Sequence, residues 1–172
     1  MHKFSTNKLV KTALVAAIYT AITMALAPIS YGDIQFRISE VLVLLAFIDA
    51  FYIPGLVVGC IIANLGSPFG PIDILSGSFA TLLAVTSIHW TRKILGNNIK
   101  SLIIASLWPV IFNGLIVGWM LSYMIPAPFW ASAAYVALGE FVVVSIIGVV
   151  LFKIILDRKN FVNILRLSDE KK

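Results

Sequence analysis

The sequence predicts an all-α integral membrane protein, a single unit over residues 1–172 with six transmembrane helices and both termini in the cytoplasm. Three observations carry that prediction. Of the 172 residues, 60% are hydrophobic and only 12% are charged, whereas a soluble domain has about 45–50% apolar and about 25% charged residues. The apolar residues run in blocks close to the roughly 20 residues that a helix needs to cross the hydrocarbon. The 13 Lys and Arg residues lie at the edges of those blocks, and six crossings put all of them except Arg37 on one side, as the positive-inside rule requires. So little charge cannot cover a water-facing surface, which excludes a soluble globular enzyme. The net charge of +5 suits an anionic membrane surface rather than nucleic acid. One cysteine, Cys60, excludes a disulfide framework, and with two histidines it makes no conventional zinc site. No metal or other cofactor is expected.

The first span, 9–27, is bounded by Lys3, Lys8 and Lys11 before it and Pro28 after it. A cleaved secretory signal is the alternative, since Ala25-Leu26-Ala27 imitates a cleavage site. The apolar run is of span length, however, and proline directly after the site would hinder cleavage. Residues 38–65 are long for one crossing and short for two. Pro54-Gly55 breaks the stretch, which predicts two short helices over 38–52 and 54–65. Charge parity agrees, because a single crossing would put the basic C-terminal tail opposite the basic N-terminus. The remaining spans are 72–91, after the Gly66–Pro71 turn, then 101–124, ending before Pro126-Ala127-Pro128, and 129–152, closed by Lys153, Arg158 and Lys159. The tail with Arg166, Asp169, Glu170, Lys171 and Lys172 reads as a solvated end.

Ala13, Ala17, Ala21 and Ala25 recur every four residues along the first span, with Ala16 and Thr20 widening the stripe. Small side chains let a second helix approach closely, which drives association in lipid. The stripe is therefore a docking face, either for a partner or for a neighbour in the same chain.

Polar groups inside spans are costly, about 2.5–3.5 kcal/mol for a central acid on insertion scales, and they mark sites or internal partners. Glu140 lies about 16 Å into the last span at 1.5 Å per residue, near the midplane. Asn113 occupies the middle of the preceding, antiparallel span. A carboxylate and an amide together suit the N–H edge of a heterocycle; a simple packing pair is the alternative. Arg37, the one cation on the outer side, and Glu40 stand at the entrance of the second helix as a lid or as a local ion pair, and Gln35 belongs to the same connection. Asn64 and Asp73 flank the Gly/Pro turn. Tyr123 and Trp130 bracket the Pro126 turn above Glu140, where either ring could stack on a flat ligand, while Trp119 reads as part of an interfacial belt. Asp49 reads as a cap or a partner contact, His89 as interfacial, and Trp108 and Cys60 as packing. There is no phosphate-binding Gly-x-x-x-x-Gly-Lys-Ser/Thr loop, no His-Glu-x-x-His and no nucleophile–histidine pair. The chain can bind, but it shows no means of catalysis and no power source.

Several of these stretches resemble one family. They are Pro28-Ile29-Ser30-Tyr31-Gly32, Ile34-Gln35-Phe36-Arg37-Ile38-Ser39-Glu40, Ala63-Asn64-Leu65 with Ser67-Pro68, Asp73, Phe112-Asn113 and Leu138-Gly139-Glu140. Together they look like the QueT family, substrate-binding S components of energy-coupling factor (ECF) transporters, and the likeness runs from Leu9 to Phe152. It implies a transmembrane T component that docks on Ala13, Ala17, Ala21 and Ala25, and two ATP-binding-cassette ATPases that supply the missing power. It further implies a small-molecule pocket near the outer face, closed by external loops, and an S component that topples in the bilayer. Asp33 departs from the nonpolar residue or proline expected there. The family name implies a queuosine precursor; a hydroxymethylpyrimidine or a pyridoxine-like ring would fit Glu140 equally well. An autonomous proton-coupled carrier with Glu140 as relay, and an assembly or sensor protein without a ligand, are the other classes left open.

Overall fold

A computed structural model describes residues 6–32 and 34–167 and contains no strand among them. Asp33, the N-terminal His2 and Lys3, and the tail residues Asp169, Glu170, Lys171 and Lys172 lie outside the described residues. The chain forms α1 (Thr6–Ala25), a single turn at Ala27–Ser30, α2 (Ile38–Ile48), α3 (Ala50–Asn64), α4 (Pro71–Leu95), α5 (Ile99–Met124), α6 (Phe129–Asp157) and α7 (Lys159–Leu165). Four of these, α1, α4, α5 and α6, are long and apolar enough to cross a membrane, and α2 and α3 are shorter apolar helices.

The break between the two short helices falls at Asp49, not at Pro54-Gly55 as the sequence predicts. Asp49 adopts an extended backbone, with φ −155°, and its carboxylate accepts from the Phe51 backbone N–H at 3.0 Å. This is the N-capping role that suits aspartate. Pro54 sits in the first turn of the α-helical part of α3, where the missing N–H costs nothing.

Helix α2 is the centre of the fold. Its first seven residues, Ile38–Leu44, wind as a 3-10 helix, which lengthens the rise per residue to about 2.0 Å. Val43 through Ile48 are buried on every side, as an all-round apolar helix requires. It packs against α1, α4 and α6, while the other helices neighbour one another in the order α1, α3, α4, α5, α6.

Two seams of small residues hold this row of helices together. Thr12 and Ala16 of α1 face Gly55 and Gly59 of α3, and a Cβ on Gly55 would stand 2.4 Å from the Thr12 carbonyl oxygen. The Thr12 and Thr20 hydroxyls donate across the seam to the Phe51 and Gly59 carbonyls, each at 3.0 Å. In the second seam Gly114 and Gly118 of α5 meet Ala137 and Ala133 of α6, with a Cβ on Gly118 only 2.5 Å from the Ala133 Cα. Such close backbone approach is how helices associate where no water drives them together. Trp108 donates to Thr91 at 2.8 Å and Ser106 meets Ser145 at 3.1 Å, linking α5 to α4 and α6.

The expected alanine stripe divides as a consequence. Ala16 and Thr20 belong to the α3 seam, whereas Ala13, Ala17, Ala21 and Ala25 are exposed on the flank of α1 beside that seam. The described chain ends share one end of the bundle: Lys11 donates to the Ile164 carbonyl at 2.7 Å, Tyr52 to Leu165 at 2.8 Å, and the Leu167 N–H to Asp49 at 2.8 Å. Arg92 donates there to the last carbonyls of α2, Phe47 and Ile48. Arg37, Asn64 and Asp73 gather at the other end.

Replacing Gly118 with valine should cost about 1–3 kcal/mol through overpacking, read as a lower melting temperature of the purified protein. A melting temperature equal to that of the native chain would show that α5 and α6 do not approach at this seam.

Candidate ligand-binding site

The end of the bundle away from the chain termini carries a concentration of buried polar side chains. They come from the α1–α2 connection (Ser30, Gln35, Arg37), the first turn of α2 (Ser39, Glu40), the last residue of α3 (Asn64), the first turn of α4 (Asp73), mid-α5 (Asn113) and mid-α6 (Glu140), and all are buried. A polar group out of water must be paired or it costs about 1–3 kcal/mol by mutational measures, so the pairing of each atom is informative.

Arg37 is the hub. Its guanidinium lies 3.4 Å from the Asp73 carboxylate, donates to the Ser30 carbonyl at 3.4 Å, and sits 5.6 Å from the centre of the Tyr31 ring. Burial works against its charge, but Asp73 above all, with Tyr19, Cys60 and Glu40, more than offsets this and holds the guanidinium protonated. The local pairing of Arg37 with Glu40 does not form. The Tyr19 hydroxyl on α1 donates to Glu40 Oε1 instead, and beside it Thr23 and Ser39 share a hydrogen bond of 2.6 Å. Asn64 donates to the Asp73 backbone carbonyl at 3.1 Å and to the Cys60 sulfur at 3.6 Å. Gly77 makes room for this amide, since a Cβ there would stand 2.5 Å from Asn64 Nδ2. Across the site Asn113 Nδ2 donates to Glu140 Oε1 at 2.7 Å, and Glu40 and Arg37 are near enough to act on Glu140 electrostatically.

Six polar atoms in this region are buried with no hydrogen-bond partner among the described residues: Ser30 Oγ, Gln35 Nε2, Glu40 Oε2, Asn64 Oδ1, Asp73 Oδ1 and Glu140 Oε2. Glu40, Asp73, Glu140 and Asn64 therefore each use one side-chain atom to hold their place and keep another free. Native structures hold few such atoms, and a concentration of them marks a functional centre.

The α1–α2 connection packs onto α6 at Gly139, the residue before Glu140. A Cβ on Gly139 would stand 2.2 Å from the Ile34 carbonyl oxygen, and Gln35 takes the left-handed conformation at φ 52°. A non-glycine residue there stores strain, which functional sites tolerate. Directly after Glu140 the helix changes to a π-helical stretch, Phe141–Gly148, another feature frequent at functional positions. A depression of about 470 Å³, lined by Ile29, Gly32, Ile34, Gln35, Phe36 and Tyr135, lies against the connection.

The structure thus brings together Gln35, Arg37, Glu40, Asn64, Asp73, Asn113 and Glu140. It does not bring Tyr123 and Trp130 to them. Tyr123 is 72% and Trp130 is 75% exposed, the first stacked on Trp119 and the second tilted against Phe129. These rings point outward into an apolar surface, which is how interfacial aromatics sit. Sequence reasoning missed Tyr19; a hydroxyl in mid-span on the face opposite the alanines was the available signal.

The family model described as "QueT transporter" matches residues 9–157. The Queuosine precursor transporter QueT of Lactococcus lactis subsp. cremoris (strain MG1363) is 44% identical over 85 residues, which cover 48% of this chain and 50% of that protein. The matched part thus spans about half the length of that curated relative. No solved structure matches the chain.

Replacing Arg37 with methionine would leave Asp73 buried without its cation, a loss of about 3–5 kcal/mol for a broken buried pair. Adding Asp73→Leu should recover most of the fall in melting temperature. A double variant no more stable than Arg37→Met alone would mean that the two side chains do not act as a pair.

Proposed function

Because the chain belongs to the QueT transporter family, we propose that this multi-pass membrane protein is the substrate-capture (S) component of an ECF importer. In this reading it takes up a small nitrogen heterocycle on the outer side, of the queuosine-precursor kind named for its relative. It then delivers the compound inward through a T component driven by two ATP-binding-cassette ATPases. The observation that carries the reading is the set of buried, unpartnered polar atoms around Arg37, Glu40 and Glu140. They are supplied by separate elements and lie beneath a connection that can act as a lid.

Six crossings with both termini in the cytoplasm accord with this reading. Lys11 and Arg166, near the described chain ends, belong to the end of the bundle where Lys11 meets Ile164, and Arg37 belongs to the other. Docking of the T component on Ala13, Ala17, Ala21 and Ala25 is supported by their exposure on α1, since the seam with α3 uses Thr12, Ala16 and Thr20 instead. The chain itself is not an enzyme in this reading: with no phosphate-binding loop in the sequence, ATP hydrolysis falls to the partner subunits. Tyr123 and Trp130 belong to the interfacial belt rather than to capture.

Two substitutions separate capture from delivery. Glu140→Gln should weaken binding of the compound at least tenfold while expression stays normal, measured by calorimetry on detergent-solubilised protein without ATP; unchanged affinity removes Glu140 from the site. Ala17→Trp should leave that binding intact and abolish uptake by cells. Uptake that persisted in Ala17→Trp would remove the docking face, and uptake by this chain alone in liposomes under a proton gradient would favour an autonomous carrier.

A further inference from the structure

The groove between α4 and α5, at the end of the bundle where the chain ends meet, grades from charge to hydrocarbon along its length. It encloses about 370 Å³ between Trp90, Ile94 and Leu95 of α4 and Ile104 and Trp108 of α5. It lies open at the side, with Trp90 and Ile94 51% and 74% exposed. On α5 the wall continues to Lys100, since Lys100, Ile104 and Trp108 are four residues apart and share one helix face. From the cation to the indole that face runs about 12 Å at 1.5 Å per residue. On α4, Lys93 Nζ lies 4.8 Å from the centre of the Trp90 ring. Both lysines are exposed, and no aspartate or glutamate occurs between Asp73 and Glu140, so nothing of opposite charge on this hairpin meets them. Arg92 takes no part, because it is turned toward the Phe47 and Ile48 carbonyls. The floor offers little to a polar guest: the Thr91 hydroxyl donates to the Ser87 carbonyl and accepts from Trp108, each at 2.8 Å.

We propose that this groove binds one anionic phospholipid, its phosphate held at the rim by Lys93 and Lys100 and an acyl chain lying between Trp90 and Trp108. The charge and the walls select this occupant jointly. Lysines beside a membrane attract anionic headgroups, and their long stems reach outward while resting on apolar surface. A free inorganic anion would leave the apolar walls unused. A zwitterionic lipid would suit the walls but bring a cation of its own to the lysines. Tryptophan is suited to the level between, where headgroup gives way to chain. The site lies at the opposite end of α4 from Asp73 and shares no residue with the polar cluster, so it stands or falls apart from the capture reading.

Native mass spectrometry of the full chain in detergent, titrated with phosphatidylglycerol or with phosphatidylcholine of the same acyl chains, tests the site. One phosphatidylglycerol per chain should be retained, about fivefold or more tighter than phosphatidylcholine. Lys93→Gln and Lys100→Gln should each weaken that binding roughly fivefold. Lys153→Gln, which removes an exposed cation from α6, should leave it unchanged. Glycerol phosphate, which carries the anion without chains, should not compete. Equal retention of the two lipids, retention of neither, or undiminished binding in both groove-lysine variants would overturn the site. An equal loss in Lys153→Gln would show charge spread over the surface instead, and competition by glycerol phosphate would show a site for a free anion. Either result also overturns the lipid site.

Discussion

Placing three carboxyl groups and one guanidinium inside an apolar bundle is the constraint on which the rest of the structure depends. Ionised groups in a medium of low dielectric cost several kcal/mol each unless partners meet them, and few partners are available here. The chain responds by bringing a donor to each acid from a different element: Arg37 to Asp73, Tyr19 to Glu40, Asn113 to Glu140. Those bonds tie α1 to α2, the α1–α2 connection to α4, and α5 to α6. The polar cluster is therefore a structural junction as well as a candidate site, and each acid is held by an element other than its own.

The short α2 makes such a junction possible. A full-length helix at the centre of the bundle would fill it with side chains from end to end. α2 ends at Asp49, and at its other end the connection from α1 folds inward far enough to lie on Gly139. Around it, the glycine and alanine seams draw α1 to α3 and α5 to α6 so closely that backbone touches side chain without intervening bulk. Close packing of this kind compensates for the absence of a hydrophobic driving force between helices in lipid.

Much of this was legible in the sequence because polar residues in apolar runs are rare and each has a reason. Gln35, Arg37, Glu40, Asn64, Asp73, Asn113 and Glu140 stand out by type alone, and the structure gathers them. What the sequence conceals is rotation. In a soluble helix the apolar stripe reveals the buried face, but in lipid both faces are apolar and that contrast disappears. Hence Ala16 and Thr20, which share the period of the alanine stripe, turned out to serve the α3 seam, and Tyr19 was passed over although its hydroxyl meets Glu40. The outward rings of Tyr123 and Trp130 illustrate the same difficulty, since nearness to a turn does not say which way a side chain points. The break at Asp49 was hidden for a different reason: proline signals a helix start as readily as a helix end, and here Pro54 opens one.

Helix α1 has one face bonded to the acids' surroundings, through Tyr19 to Glu40 and Thr23 to Ser39, and another face of exposed alanines. About 10 Å of helix diameter separates the two. The same rod thus carries a smooth exterior and, one helix width away, the hydroxyl that holds a buried carboxylate oxygen.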